Sequence, residues 1–179
     1  MDLILMIFPL RGFLLYLFVG WMLGCDDSMF LKHHKLADSE GHIGEKLEIV
    51  KEELIQLKLT WMNLSCSEIE ESNMNNSFLT NNDMSDCYFF SISFEETNLS
   101  ECILSKIVFD YASLKHSNIR ICVGIKASFD GTDLSFANIS GSDLRRASFR
   151  RVNLSYAKFS NVDLTNALIH ERRKTKNGA

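Results

Sequence analysis

The sequence predicts an all-β rod: a backbone wound as a square coil, one five-residue unit per side, with a filled interior. Three observations predict it. Large apolar residues occupy every fifth position from Leu59 to Ile169, at 22 of 23 positions, and Gly124 is the single break. The residue two places earlier is mostly small, as at Ser67, Ser72, Cys87, Ala112, Ala127, Ala137, Ala147 and Ala157. Phe89, Phe109, Phe129 and Phe149 are spaced by twenty, so four units closing one turn would stack them in a column. A period of five fits neither the 3.6 of an α-helix nor the 2 of a strand. It demands a backbone that meets the same surroundings every five residues, with one large and one small side chain inward and three outward. A single proline in 179 residues suits such a stack, because each layer must donate amides to the next.

The N-terminal stretch differs in kind. Residues 3–24 read LILMIFPLRGFLLYLFVGWMLG. A membrane span wants about 20 mostly apolar residues, and Pro9, Arg11 and Gly12 interrupt that length. Met1 to Gly12 then reads as an n-region carrying Arg11, and Phe13 to Leu23 as an h-region of signal-peptide length. Gly24-Cys25 closes it, followed by Asp26-Asp27. That ending resembles a bacterial lipoprotein signal, in which the cysteine after a small residue is acylated, and it makes Cys25 the candidate lipid anchor. An uncleaved signal-anchor helix is the second reading of residues 1–25. Both put the chain on a membrane, in a bacterial cell envelope with the rod outside the cytoplasm; the remaining reading is a buried apolar helix in a soluble protein.

Residues 26–43 are polar and read as a solvated tether, His33 and His34 included, since no Cys, Asp or Glu stands at metal-ligand spacing from them. Over 44–58, Leu47, Val50, Leu54 and Leu57 fall near helical spacing, with Glu45, Lys46, Glu48, Lys51, Glu52 and Glu53 mostly opposite. This predicts a short amphipathic helix capping the N-terminal end of the rod. The coil then spans 57–171, and a basic tail, 172–179, closes the chain.

The units TDLSF, ANISG, SDLRR, ASFRR, VNLSY, AKFSN and VDLTN, residues 132–166, resemble the A-[D/N]-L-x-x motif of pentapeptide repeat proteins. The resemblance implies a right-handed quadrilateral β-helix of nearly six coils, about 27 Å long at ~4.8 Å per layer. Asn and Asp suit its tight turns because they bond their own backbone. Leu57, Met62, Asn82, Ile92 and Ile107 are large or polar for the small slot, so the N-terminal coils are expected to be wider or less regular. Gly124 predicts a cavity, a bulge or a bend. The C-terminal end has too short a tail to cap it. Resembling proteins pair there, so a homodimer through that end and an end left in solvent are both open.

Five cysteines without a C-x-x-C pair exclude a zinc ribbon and a thioredoxin-type motif. Cys87, Cys102 and Cys122 fall in the small inward slot, where a reduced buried thiol is the default. Cys102 and Cys122 lie one coil apart but point the same way, which disfavours a disulfide.

Function would live outside. The net charge is only −4, yet residues 57–119 carry nine acids against three lysines, and residues 120–179 eleven bases against five acids. Lys106, Lys126 and Arg146 would ladder on one corner, and Arg145, Arg146, Arg150 and Arg151 are expected to meet at one corner of one coil. No aromatic interleaving accompanies them, so nucleic acid is not the expected partner. Ile103, Val108, Ile121, Val123 and Ile125 stand where the repeat turns outward, near Tyr88, Phe90 and Tyr111. An exposed apolar patch rimmed by charge marks a contact site. Phe136 and Tyr156 form a smaller outward column, and His116 and His170 read as isolated.

No Ser-His-acid arrangement, phosphate loop or H-E-x-x-H supports catalysis, so neither an enzyme nor a cofactor or metal is expected. The favoured function is a membrane-tethered protein-binding module, such as an inhibitor or immunity protein. The alternatives are a DNA mimic, implied by resemblance to topoisomerase-protecting members of the family, and a structural subunit of a membrane assembly.

Overall fold

The computed structural model describes residues 47–170, and over that span the backbone is a quadrilateral β-helix. Five short strands, β1 (Glu48–Val50), β2 (Glu68–Glu70), β3 (Tyr88–Phe90), β4 (Ser148–Arg150) and β5 (Leu168–His170), lie on one side of it. They pair in parallel with a register of twenty, Ile49 to Ile69 to Phe89 and Phe149 to Ile169. Single bridges keep that register between β3 and β4, through Tyr88, Val108, Ser128 and Ser148, and on the other three sides. This side is the Phe wall. The side before it in each coil carries Asn63, Asp83, Ile103, Val123, Asp143 and Asp163 in bridge register and is the Ile103 wall. The corner bearing Lys106 joins the two.

Every fifth residue from Lys51 to Asn166 has positive φ, from 48° at Glu71 to 73° at Gly131 and Gly141. At about half of these corners that residue is the third of a turn in which the next small-slot N–H returns to the central carbonyl, as Ala112 does to Phe109 at 3.0 Å, whereas at others that N–H donates to a side chain of the next coil, as Leu57 does to Ser77 Oγ at 3.0 Å. The former is type II geometry, which requires the left-handed conformation there. Corner amides are not lost: Lys106 N–H donates to the Ile125 carbonyl of the next coil at 2.9 Å. The Asn and Asp residues before each central residue behave as their chemistry suggests. Asp83 Oδ1 accepts from Ser85 N–H at 2.9 Å, and Asn98 Oδ1 from Ser100 N–H at 3.0 Å.

The interior is a set of columns. Phe109 and Phe129 stack with ring centroids 5.6 Å apart, and Phe129 and Phe149 at 5.0 Å. The small slot does more than fit. Several of its hydroxyls and thiols donate to the turn carbonyl of the coil below: Thr97 to Met74 at 2.9 Å, Thr132 to Phe109 at 2.7 Å, Cys102 to Leu79 at 2.7 Å and Cys122 to Leu99 at 3.0 Å. Among the described residues no buried side-chain nitrogen or oxygen lacks a partner, as a dry interior requires.

Three expectations change. The capping helix is not formed over the described part of 44–58; residues 47–58 are already coil, with β1 inside them. Leu47, Leu54 and Leu57 are buried under either reading, but Ile49 is buried and Val50 is exposed, which is the five-residue register and not a helical stripe. The β-helix therefore begins ten residues earlier than the sequence reading placed it. The N-terminal coils keep the same ladder as the rest: Glu53↔Asn73, Lys58↔Phe78 and Asn63↔Asp83 hold the twenty-residue register. Leu57, Met62, Ile92 and Ile107 are all buried. Asn82 fits because both ends of its amide are bonded, the nitrogen donating to the Leu59 carbonyl at 2.9 Å and the oxygen accepting from Met62 N–H at 2.8 Å. Gly124 makes no bulge or bend, since Gly124 N–H reaches the Asp143 carbonyl at 2.8 Å in ordinary register. Nor does it leave a void: Leu144 Cδ2 lies 2.7 Å from where a Cβ would stand.

The last coil is open. Leu154, Phe159 and Leu164 are only half-buried, and Ile169 is 57% exposed. The leader with Cys25, the tether and the basic tail lie outside the described residues, and so does any test of their roles.

Candidate protein-binding wall

The regularity of the coil decides which side chains face out, so departures from polarity on the walls are visible at once. On the Ile103 wall the outward column runs Asn63, Asp83, Ile103, Val123, Asp143, Asp163. Ile103 and Val123 bridge each other and are 44% and 41% exposed. They are an apolar step between polar ones. Ile125 sits half-buried beside them, and no bend withdraws them from solvent.

The corner preceding this wall carries Trp61, Asn81, Glu101, Ile121 and Gly141. Trp61 and Ile121 are exposed. Ile121 also has φ 59°, and it is the one β-branched residue at a left-handed corner among the described residues. A β-branched side chain is strained there, and an isoleucine in water gains nothing by burial. Gly141 leaves room above it, with Ile121 Cγ1 3.6 Å from where a glycine Cβ would lie. The sequence marked Ile121 as an apolar intrusion; its strain was invisible until the corners were placed. Below, Trp61, Asn63, Asp83, Glu101 and Ile103 line a shallow open hollow of about 360 Å³.

The corner after the wall carries the basic ladder. Lys106, Lys126 and Arg146 occupy successive left-handed positions, as their spacing predicts. Lys106 Nζ pairs with Asp86 at 3.0 Å. The four arginines do not meet at one corner: Arg145 and Arg146 share the turn of one corner, Arg151 marks the next, and Arg150 lies on the Phe wall between them. Each is set by its place in the five-residue unit. Arg145 is also engaged, its Nε and guanidinium amine donating to Asp143 at 2.8 and 2.7 Å. That bidentate contact, helped by the Arg145 N–H, holds the Asp143 carboxyl below its ordinary range.

Val108 belongs to the Phe wall, half-buried over Tyr88, not to the Ile103 patch. Phe90 packs edge-on against Tyr111 at 5.5 Å. Phe136 and Tyr156 stack at 4.9 Å on a further corner, and His116, read as isolated in the sequence, extends that column at 4.8 Å from Phe136. Counting by twenty from Phe136 would have found it.

The buried thiols are not reactive sites. Cys66, Cys87, Cys102 and Cys122 are free, and all but Cys66 are buried. Burial pushes Cys87 and Cys102 up to about 12 and Cys122 up to about 11. Among the described residues no three His, Cys, Asp or Glu side chains converge as metal ligands. No helix among those residues is long and apolar enough to cross a membrane.

A family model for pentapeptide repeats matches residues 87–120 and 127–166, with eight copies. No curated protein matches the chain. Similar solved structures include a pentapeptide repeat protein from the cyanobacterium Cyanothece 51142, at 16% identity and TM-score 0.44, covering 68% of this chain and 90% of that one. A pentapeptide repeat protein of the Arabidopsis thaliana thylakoid lumen matches at 18% identity and TM-score 0.45, over 55% of this chain and 69% of that one. QnrB1, a plasmid-mediated fluoroquinolone resistance protein, matches at 18% identity and TM-score 0.39, over 70% of this chain and 87% of that one.

Proposed function

The chain is a pentapeptide repeat protein, and from that premise we propose that it is a non-catalytic protein-binding module whose Ile103 wall docks a partner protein. One observation carries the reading: Ile103 and Val123 on a rigid wall and the strained Ile121 on the corner preceding it are exposed together. Exposed apolar groups at the centre of a charged rim are the usual anchors of an interface. Trp61 and the hollow beside Ile103 offer a seat for an apolar side chain of the partner. Lys106, Lys126 and Arg146 would steer an acidic rim toward it. Inhibition of the partner, as by an immunity protein, is the mode that suits a module with a flat wall and no chamber.

The tether belongs to the same proposal. Residues 1–25 would hold the chain on a membrane, with Cys25 as the acylated anchor, or as an uncleaved signal anchor, and with the β-helix outside the cytoplasm of a bacterial cell envelope. Intact mass of the membrane fraction separates these, since cleavage before Cys25 and acyl addition each leave a distinct mass. A DNA-mimicking, topoisomerase-protecting role is less favoured because Lys126, Arg146, Arg150 and Arg151 break what would have to be one acidic face.

A photo-crosslinking residue placed at 103 in the full chain tests the docking. The expected result is one discrete protein adduct, abolished by Val123→Asp with the circular dichroism unchanged. An adduct indifferent to Val123→Asp, or equal labelling from position 138 on another wall, would remove the Ile103 wall from the account.

A further inference from the structure

The Phe wall, one corner beyond the Ile103 patch, carries a gradation that the docking does not use, apart from Lys106 and Lys126 on the shared corner. Along it and its corners, Glu70, Glu71 and Asp86 lie in the lower coils, and Lys126, Arg150 and Arg151 in the upper ones. Between them stand Val108, half-buried, and Tyr111, 58% exposed. Glu71 has Lys51 at 3.4 Å and Asp86 has Lys106 at 3.0 Å, both in solvent. Among the described residues no carboxylate is within ion-pair range of Lys126, Arg150 or Arg151.

The twenty-residue register gives this gradation a symmetry. A two-fold axis in the plane of the wall, perpendicular to the rod at the level of Phe109, keeps each lateral position and inverts height. Glu70 and Arg150 share the lateral position of Asp110 and lie two coils below and above it. Glu71 and Arg151 bracket Tyr111 in the same way, and Asp86 and Lys126 bracket Lys106 at one coil. Inverted against itself, the wall sets Glu70 against Arg150, Glu71 against Arg151, and Asp86 against Lys126. Each contact occurs twice, with Val108 and Tyr111 meeting their own copies on the axis. Two like contacts fall on the axis, and both are compensated within the chain: Lys106 by Asp86, and Asp110 by donation from Ser128 Oγ at 2.5 Å and Asp130 N–H at 3.2 Å.

We propose that the Phe wall binds a second copy of this chain, antiparallel, through these complementary charges around the Val108 and Tyr111 centre. An isologous contact needs one patch that complements itself, and this wall meets that condition at Glu70, Glu71 and Asp86 against Arg150, Arg151 and Lys126, while Phe90 is set against Asp130. The wall is narrow, so the pair is weak and salt-sensitive. It is a different wall from the proposed docking site, and either can fail without the other.

Sedimentation equilibrium of the full chain in mild detergent tests this with a charge exchange. Wild type is expected to dimerise reversibly, less so as salt rises. Arg150→Glu with Arg151→Glu, and separately Glu70→Arg with Glu71→Arg, are each expected to weaken self-association at least roughly tenfold. Mixed in equal amounts, the two variants have each of the exchanged contacts opposite in sign, and a heterodimer is expected. Unchanged circular dichroism and melting of each variant shows that folding is not the cause. A wild type that stays monomeric, variants that dimerise as the wild type does (as an end-to-end dimer would), or a mixture that stays monomeric would each overturn the proposal.

Discussion

Phe129→Ala is the perturbation that most searches the interior. The ring is fully buried, with Phe109 stacked 5.6 Å on one side and Phe149 5.0 Å on the other. Truncating a buried Phe costs about 3–5 kcal/mol, and each ring pair adds about 0.5–1.5 kcal/mol beyond buried area. Two pairs are lost here, so the expected cost is near the top of the range, about 5 kcal/mol. The neighbours cannot collapse into the gap, because backbone bonds such as Phe109 N–H to Ser128 O at 2.8 Å and Phe129 N–H to Ser148 O at 2.9 Å fix the spacing of the layers. Ile169→Ala is the control. It lies in the same column but at the open end, 57% exposed, and should cost under about 1 kcal/mol. Urea denaturation followed by circular dichroism reads both as shifts in midpoint, provided the slopes agree. A Phe129→Ala cost below about 1.5 kcal/mol, or an Ile169→Ala cost equal to it, would refute a column closed in the middle and open at the end.

Gly124→Leu would make the five-residue pattern perfect, yet it is expected to destabilise by about 1–3 kcal/mol, because Leu144 already fills that space; a stabilised variant in thermal melting would contradict this. The buried thiols predict an alkaline limb. Cys87, Cys102 and Cys122 are raised from 9.0 to about 12, 12 and 11, so the unfolded chain loses these protons first. Stability is full below pH 9 and falls above it, by up to about 1.4 kcal/mol per pH unit per thiol, until the folded thiols ionise. Replacing all three with Ala should flatten that limb in a series of urea melts, and a limb that the replacement leaves unchanged would rule the cause out. At pH 8, a thiol reagent should label Cys66 in the native protein and the three buried thiols only after denaturation, as mass spectrometry would show; native labelling of Cys102 would contradict the burial.

The sequence was legible wherever one rule repeats. The period of five and the column of phenylalanines fix which side chains turn inward, and Ile103 over Val123 follows from counting by twenty. It misled where two periods coincide: Leu47, Leu54 and Leu57 satisfy a helix and a coil alike, and only the burial of Ile49 in place of Val50 decides between them. Compensation by neighbours was not legible at all. Nothing in the string says that Leu144 leans over Gly124, or that Asn82 finds both partners inside. The strain at Ile121 needed a corner assignment, which the period implies only once the turn type is known.

Everything argued about the walls depends on their being straight stacks of bridged layers. Lys58 and Lys158 stand on one wall, joined through Phe78, Asn98, Asn118 and Asn138, five layers or about 24 Å apart between α-carbons. Spin labels at Lys58→Cys and Lys158→Cys, with Cys25 and Cys66 replaced by Ser, report that distance by electron double resonance. One narrow population at that separation, widened only by the label linkers, is the expected result; a broad spread, or a mean displaced by more than about two layers, would contradict the stacked square coil on which both binding walls rest.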